Sequence, residues 1–416
     1  MYKAESFDIM QYFYGAVHNP LIHCYIRFSG HINVSELKRA VTLSRKAIPL
    51  IQCCFDVTGR RPCWKDKEFT GEDIVHVIQS NPNDIEQINR LLASKTNIMK
   101  EPQLNIYLMN GQKADSLCII INHMICDAAG FKEYLYLLSN IYTKLNENPS
   151  YMPNLKPNLR STRQLFFNMG LRQKLGILFS KYDLSKQKKQ ARICLDGDRS
   201  NPLFITHCIE KHELFLIKTY AKSQHASFND MILTAYCRLL SRKTRTDRIV
   251  IPCPVDLRKY LRNNQKHGIC NLTSNFICDV VIKEGDSFQN TLSQVSAQMN
   301  QQKNSSNCLK PIIMLELAFH LLSYQKMQKI FGKIFTIPVI SYTNIGIIDS
   351  KLLKFANADI LDVFVTGAIK YVPYFQVAVS TYEERCTLSC NLYGTTKDMV
   401  WIKSFLEELS KELLSV

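Results

Sequence analysis

The segment Ser116 to Leu145, SLCIIINHMICDAAGFKEYLYLLSNIYTKL, constrains the fold more than any other stretch of the chain. Leu117 to Ile121 is an apolar run with three successive isoleucines, the pattern of a buried strand. It stops at Asn122 and His123, followed by Asp127 and then Ala128-Ala129-Gly130. Beyond these, Phe131, Tyr134, Leu135, Leu138, Tyr142 and Leu145 recur at helical spacing and predict an amphipathic helix. A polar His-x-x-x-Asp loop therefore lies between a buried strand and a packed helix. Such a scaffold can hold a proton-transfer group in a fixed position.

Elements of both kinds surround this unit. Leu21 to Ser29 reads as a strand, and Asn33 opens a helix with Glu36 three residues on as a capping box. Asp84 to Ala93 is a further helix. Pro102 precedes a strand at Asn105–Met109, which turns through Gly111–Asp115 into Ser116–Ile121. Asn146 to Arg160 carries three prolines and little periodicity, so it reads as a linker. Residues 162–182 look helical and apolar on one face, and Lys181 to Arg192 is strongly basic. That basic run is either a solvated helix end or a docking patch for a carrier protein or coenzyme phosphates.

In the second half, His225 to Asp230 caps the helical sequence MILTAYCRLLSR. RIVIPCPVDLRKYL gives a strand running into Pro254-Val255-Asp256-Leu257-Arg258. Asn271–Ile282 reads as a strand, Phe288–Gln302 as a helix, and IPVISYTNIGII contains Thr343-Asn344-Ile345-Gly346. Phe375–Tyr382 and Thr387–Leu392 alternate as a late hairpin, and Lys397–Leu414 closes as an amphipathic helix.

His123-Met-Ile-Cys-Asp127 in this setting, with the P-V-x-L-R segment at 254–258 and the S-x-N-D pattern before the 231–242 helix, resembles the HxxxD acyltransferase superfamily. That superfamily includes chloramphenicol acetyltransferase, wax-ester synthases, alcohol acetyltransferases and condensation domains. The resemblance implies an α/β (α+β) fold of two chloramphenicol-acetyltransferase-like subdomains. Each would be a mixed, mainly antiparallel sheet with flanking helices, and the active-site channel would lie at their interface. The expected division is 1–150 as the N-terminal subdomain carrying the motif, 151–200 as linker and basic helical segment, and 201–416 as the C-terminal subdomain. The resemblance makes His123 the general base and pairs Asp127 with Arg258 as a structural ion pair of the loop. The alternative for Asp127 is to orient His123 directly. Ala128 and Gly130 become oxyanion-donor or loop-shaping positions, and Asn122, Asn344 and Gly346 substrate-channel positions. Two departures stand out from the H-H-x-x-x-D-G form: Asn122 replaces the first histidine and Ala128 the glycine.

The chemistry asks for few groups. Acyl transfer from a thioester needs a base for the attacking alcohol or amine and a donor for the oxyanion. A neutral imidazole suits the first task near pH 7. No G-x-S-x-G elbow supplies a serine nucleophile, Cys126 reads as an inward small hydrophobe, and no histidine cluster offers a metal site. The resemblance implies no permanently bound cofactor, with acyl-CoA or a phosphopantetheinyl carrier as co-substrate. The expected partners are a small-molecule acceptor and acyl-CoA or an acidic acyl carrier protein. The net charge of +16 favours a polyanionic partner but does not choose one. No zinc-finger or RNP motif points to nucleic acid, so none is expected. The second function class is a non-catalytic binding or scaffold protein on the same fold.

Length sets a prior of two domains. No apolar run approaches the roughly 18–20 residues of a membrane helix, and the N-terminus lacks a secretory pattern. Fifteen scattered cysteines without a CxxC fit reduced thiols in a cytoplasm.

Overall fold

The computed structural model describes residues 1–180, 191–261, 268–334 and 338–415. All but the last two residues of the basic Lys181–Arg192 run lie outside them.

The strand Asp115–Asn122 is buried along its whole length. Its two faces serve different cores. Leu117, Ile119 and Ile121 enter the main core of the first half, while Cys118 faces a smaller cluster with Met109, Phe204 and Tyr393. A strand covered on both faces reads as a continuous apolar run, which is why the sequence shows no alternation there. The following helix, Ala128–Glu147, buries Phe131, Tyr134, Leu135, Leu138, Ile141, Tyr142 and Leu145. It packs beside Val34–Ser44, whose N-cap Asn33 accepts from the amides of Ser35 and Glu36.

Two mixed sheets organise the molecule. The first has five strands in the order Ile360–Thr366, Leu21–Phe28, Asp115–Asn122, Leu104–Asn110, Val75–Gln79. All its pairings are antiparallel except the last. The second runs Ile340–Ile348, Phe375–Tyr382, Arg385–Tyr393, Ile369–Tyr371, His18–Asn19, with Pro202–Ile209 also paired to Arg385–Tyr393. A long antiparallel pair, Arg248–Asp256 with Thr273–Val281, stands beside it. Helices Lys211–Ser223, Phe228–Thr244, Phe288–Lys303 and Thr396–Leu414 complete the second core. This is a mixed α/β architecture with a core in each half.

The halves exchange strands. Ile360–Thr366, late in the chain, forms the edge of the first sheet by pairing with Leu21–Phe28. In return, His18–Asn19 pairs with Ile369–Tyr371 in the second sheet, setting His18 opposite Lys370. His23 sits at this crossing. It is fully buried, its Nδ1 lies 3.0 Å from the carbonyl of Gly367, and its ring meets Phe204 edge-on.

One sequence expectation differs in detail. Of residues 162–182, the described part, 162–180, does not form one helix. A 3-10 turn at Thr162–Phe166 is followed, after Gly170, by the helix Leu171–Leu178. Its apolar side faces outward, with Leu171 74% and Phe179 80% exposed. Helical spacing of apolar residues shows that they share a face, but not that the face is covered.

Burial pushes the pKa of His23 down to about 4 from 6.5, the Gly367 carbonyl opposing. Its stabilising share is therefore complete above pH 6.5 and is lost as pH falls towards 4, where the unfolded chain takes up a proton that the folded chain refuses. The cost reaches roughly 3 kcal/mol. Urea unfolding at pH 7, 5.5 and 4 should show this decline, and His23→Gln should make it shallower by about that amount.

Candidate active site at the joint between the halves

At the end of Asp115–Asn122 the chain turns sharply. The Asn122 side-chain carbonyl accepts from the Met124 amide at 2.9 Å, and its amide group donates to Gln103 Oε1 at 2.8 Å. The next residue is clamped from both halves. The His123 amide donates to the Pro20 carbonyl at 2.9 Å, and its carbonyl accepts from Asn271 Nδ2 at 2.8 Å. Met124, Ile125 and Cys126 then point inward with no exposure. Burial raises the Cys126 thiol well above its ordinary pKa, which leaves it protonated and a poor nucleophile.

Asp127 is the N-cap of the Ala128–Glu147 helix. One carboxylate oxygen accepts from the Gly130 amide at 2.8 Å and Arg258 Nη2 at 3.0 Å. The other accepts from Arg258 Nη1 at 3.1 Å and the Leu272 amide at 2.7 Å. Arg258 is equally engaged, donating also to Asp256 Oδ1 and to the carbonyls of Gly268 and Cys270. Both side chains are 7% exposed. The carboxylate is thus occupied away from His123, with no hydrogen bond between the two among the described residues, so direct orientation of the histidine by Asp127 is not what the geometry shows. Gly130 fits the same contact. A Cβ there would lie 2.9 Å from Cys126 Cβ and 3.0 Å from the Cys270 carbonyl, so the close approach of the two halves requires a residue without one.

His123 opens onto a cavity of about 540 Å³ between the halves. Its Nδ1 is buried and makes no hydrogen bond. Burial pushes its pKa below 6.5, with its own carbonyl and Asp127 opposing and Lys370 adding to the fall. The ring is therefore neutral near pH 7, the form a base requires.

The other sequence-predicted positions divide. Ala128 and Asn344 line the cavity. Asn344 Nδ2 donates to Asn229 Oδ1 at 2.9 Å, the same oxygen that receives the Tyr342 hydroxyl at 3.0 Å. Gly130 lies behind the loop, its amide spent on Asp127. Asn122 is fully buried, its side-chain carbonyl used within the turn and its amide on Gln103, so it shapes the loop rather than the channel. Gly346, at φ +80°, donates to the Asn344 side chain and stands next to the wall rather than in it.

Sequence reasoning missed several wall residues. The helix Ser6–Tyr14 contributes Phe7, Gln11 and Tyr14, and His18, Lys132 and Lys370 also border the space. Arg160, from the proline-rich linker, fixes that helix. It donates to both oxygens of Asp8, at 2.6 and 3.2 Å, and to the Met124 carbonyl at 3.3 Å. Trp64 Nε1 also donates to Asp8 at 2.8 Å.

No family model matches the sequence and no curated protein matches it. Solved structures do. A trichothecene 15-O-acetyltransferase from Fusarium sporotrichioides superposes with a TM-score of 0.73 at 10% identity, over 100% of this chain and 94% of that one. The first condensation domain of the CDA synthetase gives 0.72 at 11%, over 100% and 96%. The epimerization domain from the third module of tyrocidine synthetase B gives 0.65 at 13%, over 100% and 95%. The chain has the two-subdomain fold of condensation domains and chloramphenicol-acetyltransferase-like enzymes. At these identities the likeness establishes the fold, and the site must speak for the chemistry.

Breaking the buried pair strands a charge. Asp127→Asn and Arg258→Met should each destabilise by about 3–5 kcal/mol. The double variant should cost less than their sum, because neither partner then remains uncompensated. Chemical denaturation of the four proteins gives the coupling directly.

Proposed function

We propose that this protein is an acyltransferase moving an acyl group from a CoA or carrier-protein thioester to an alcohol or amine acceptor. The observation that carries the proposal is a neutral histidine, clamped by backbone bonds from both halves, at a cavity in the joint of a fold that a known acetyltransferase shares. In this reading the acceptor's hydroxyl or amine attacks the thioester carbonyl while His123 takes its proton. The tetrahedral intermediate collapses, the carbon–sulfur bond breaks, and the imidazolium returns the proton to the departing thiolate. The protein forms no covalent intermediate. Ala128, in the first turn of the Ala128–Glu147 helix and on the cavity wall, is the proposed source of oxyanion stabilisation, since a helix N-terminus carries partial positive charge.

We place the chemistry in a two-subdomain assembly, residues 1–150 and 201–416 joined by 151–200, that exchanges the strands Ile360–Thr366 and His18–Asn19 across the channel. The +16 net charge suits coenzyme phosphates or an acidic carrier. Fifteen unpaired cysteines support a reducing, cytoplasmic setting. No helix of the described residues is long and apolar enough to cross a membrane.

Wild type and His123→Ala are incubated with panels of acyl-CoAs, acyl carrier proteins, alcohols and amines, and products are followed by mass spectrometry. His123→Ala should lose about 10²- to 10⁴-fold in kcat/KM while keeping donor affinity and fold. Equal turnover by both proteins sinks the proposal. The acid limb of wild-type kcat/KM should fall below pH 6.5, with a plateau through pH 7 to 8, because the folded-state pKa of His123 is lowered.

A further inference from the structure

Lys370 is a half-buried cation without an anion. The strand pairing sets it opposite His18, with Nζ 3.5 Å from His18 Nδ1, and both residues line the cavity into which His123 opens. No carboxylate pairs with Lys370 among the described residues. The two carboxylates nearest the loop are committed: Asp127 and Asp256 both hold Arg258. Burial pushes the Lys370 amine down to about 8, so at neutral pH it still carries its charge but lacks the counter-ion that ordinarily compensates such burial.

His18 sharpens the picture. It is 7% exposed, and burial, with Lys370 and His123 adding to it, holds its pKa well below 6.5. A neutral imidazole facing an ammonium through Nδ1 accepts there, so its proton resides on Nε2. That atom is buried and has no partner. Because Nε2 points away from Lys370 and has no accessible surface, His18 serves to orient the ammonium, whose charge stands without an anion beside the proposed base. The surrounding wall is largely apolar, with Phe7, Met10 and Ile22 close to hand. A single ammonium in such a wall matches a singly charged group such as a carboxylate. A phosphate, with its higher charge and three terminal oxygens, would call for more donors or an arginine fork.

We propose that Lys370, oriented by His18, forms a carboxylate subsite, so that one of the two substrates carries a free carboxylate held beside the reacting centre. This rests on the acyltransferase reading and names its substrate class. The carboxylate belongs either to a hydroxy- or amino-acid acceptor or to a dicarboxylic acyl group on the donor. In both cases it supplies the missing counter-ion of Lys370 and fixes the distance from the anchored end to the carbon or heteroatom that reacts.

The test is a binding measurement, independent of turnover. Ligand-observed NMR and titration calorimetry are run on wild type, His123→Ala, Lys370→Met and Lys370→Arg. In the acceptor arm the probes are 3-hydroxybutyrate and 3-phenyllactate against their methyl esters. In the donor arm they are malonyl-CoA and succinyl-CoA against butyryl-CoA. The expected result is at least tenfold preference for the free acid in one arm, present in wild type and His123→Ala, lost in Lys370→Met and kept in Lys370→Arg. The arm showing the preference identifies its source. Equal response to charged and neutral probes in both arms, including no response to either, overturns the subsite, as does a preference that survives in Lys370→Met. Because His123→Ala retains the binding, a failed subsite and a failed acyltransferase reading give different results.

Discussion

The contact between Asp127 and Arg258 spans 131 residues of sequence and closes the loop onto the other half of the molecule. Its geometry leaves little slack: the carboxylate accepts four hydrogen bonds, and the guanidinium spends its remaining donors on Asp256 and on the carbonyls of Gly268 and Cys270. A pair so deeply placed adds little net stability over an apolar alternative, but it fixes one arrangement over others. Here the arrangement is the presentation of His123. The histidine's backbone is held by Pro20 on one side and Asn271 on the other, so the imidazole reaches its position only when both halves are assembled.

The electrostatics of the joint follow from the same burial. His18, His123 and Lys370 all have their protonated forms disfavoured by loss of solvent, and Lys370 depresses both histidines. Three bases share one dry space, and charging any of them penalises the others. The arrangement settles with one positive charge, on the lysine, and two neutral imidazoles. A histidine kept neutral in this way is ready to take a proton without a carboxylate behind it, which explains how Asp127 can be turned wholly to structural use.

The strand–loop–helix unit was legible because its signals are local: an apolar run, a polar stop and a helical period within thirty residues. Arg258 could be placed only through resemblance, since nothing local ties a P-V-x-L-R segment to a loop in the other half. The resemblance assigned Asn122 to the channel, yet it is the last residue of a strand whose side chains are buried on both faces, and the chain turns before His123 opens to the cavity. Residues 162–182 read as helical and apolar on one face, and the structure leaves Leu171 and Leu175 of that face exposed, because periodicity reports a face and not its neighbour. Lys370 left no trace at all. In Ala-Ile-Lys-Tyr-Val it reads as the polar position of a short strand, and only the pairing with His18 brings it to the cavity.

The exchanged strands also set an order of events during synthesis. Leu21–Phe28 is an interior strand of the finished sheet, but its partner on one side, Ile360–Thr366, is made only after the whole of the intervening chain. Until Thr366 has cleared the ribosome, the nascent first half carries a bare row of backbone donors and acceptors on an eight-residue apolar strand. Such an edge invites pairing with a neighbouring nascent chain, and long-range closure is slow. Fragments ending before residue 360 keep that edge open and are expected to aggregate where the full chain does not.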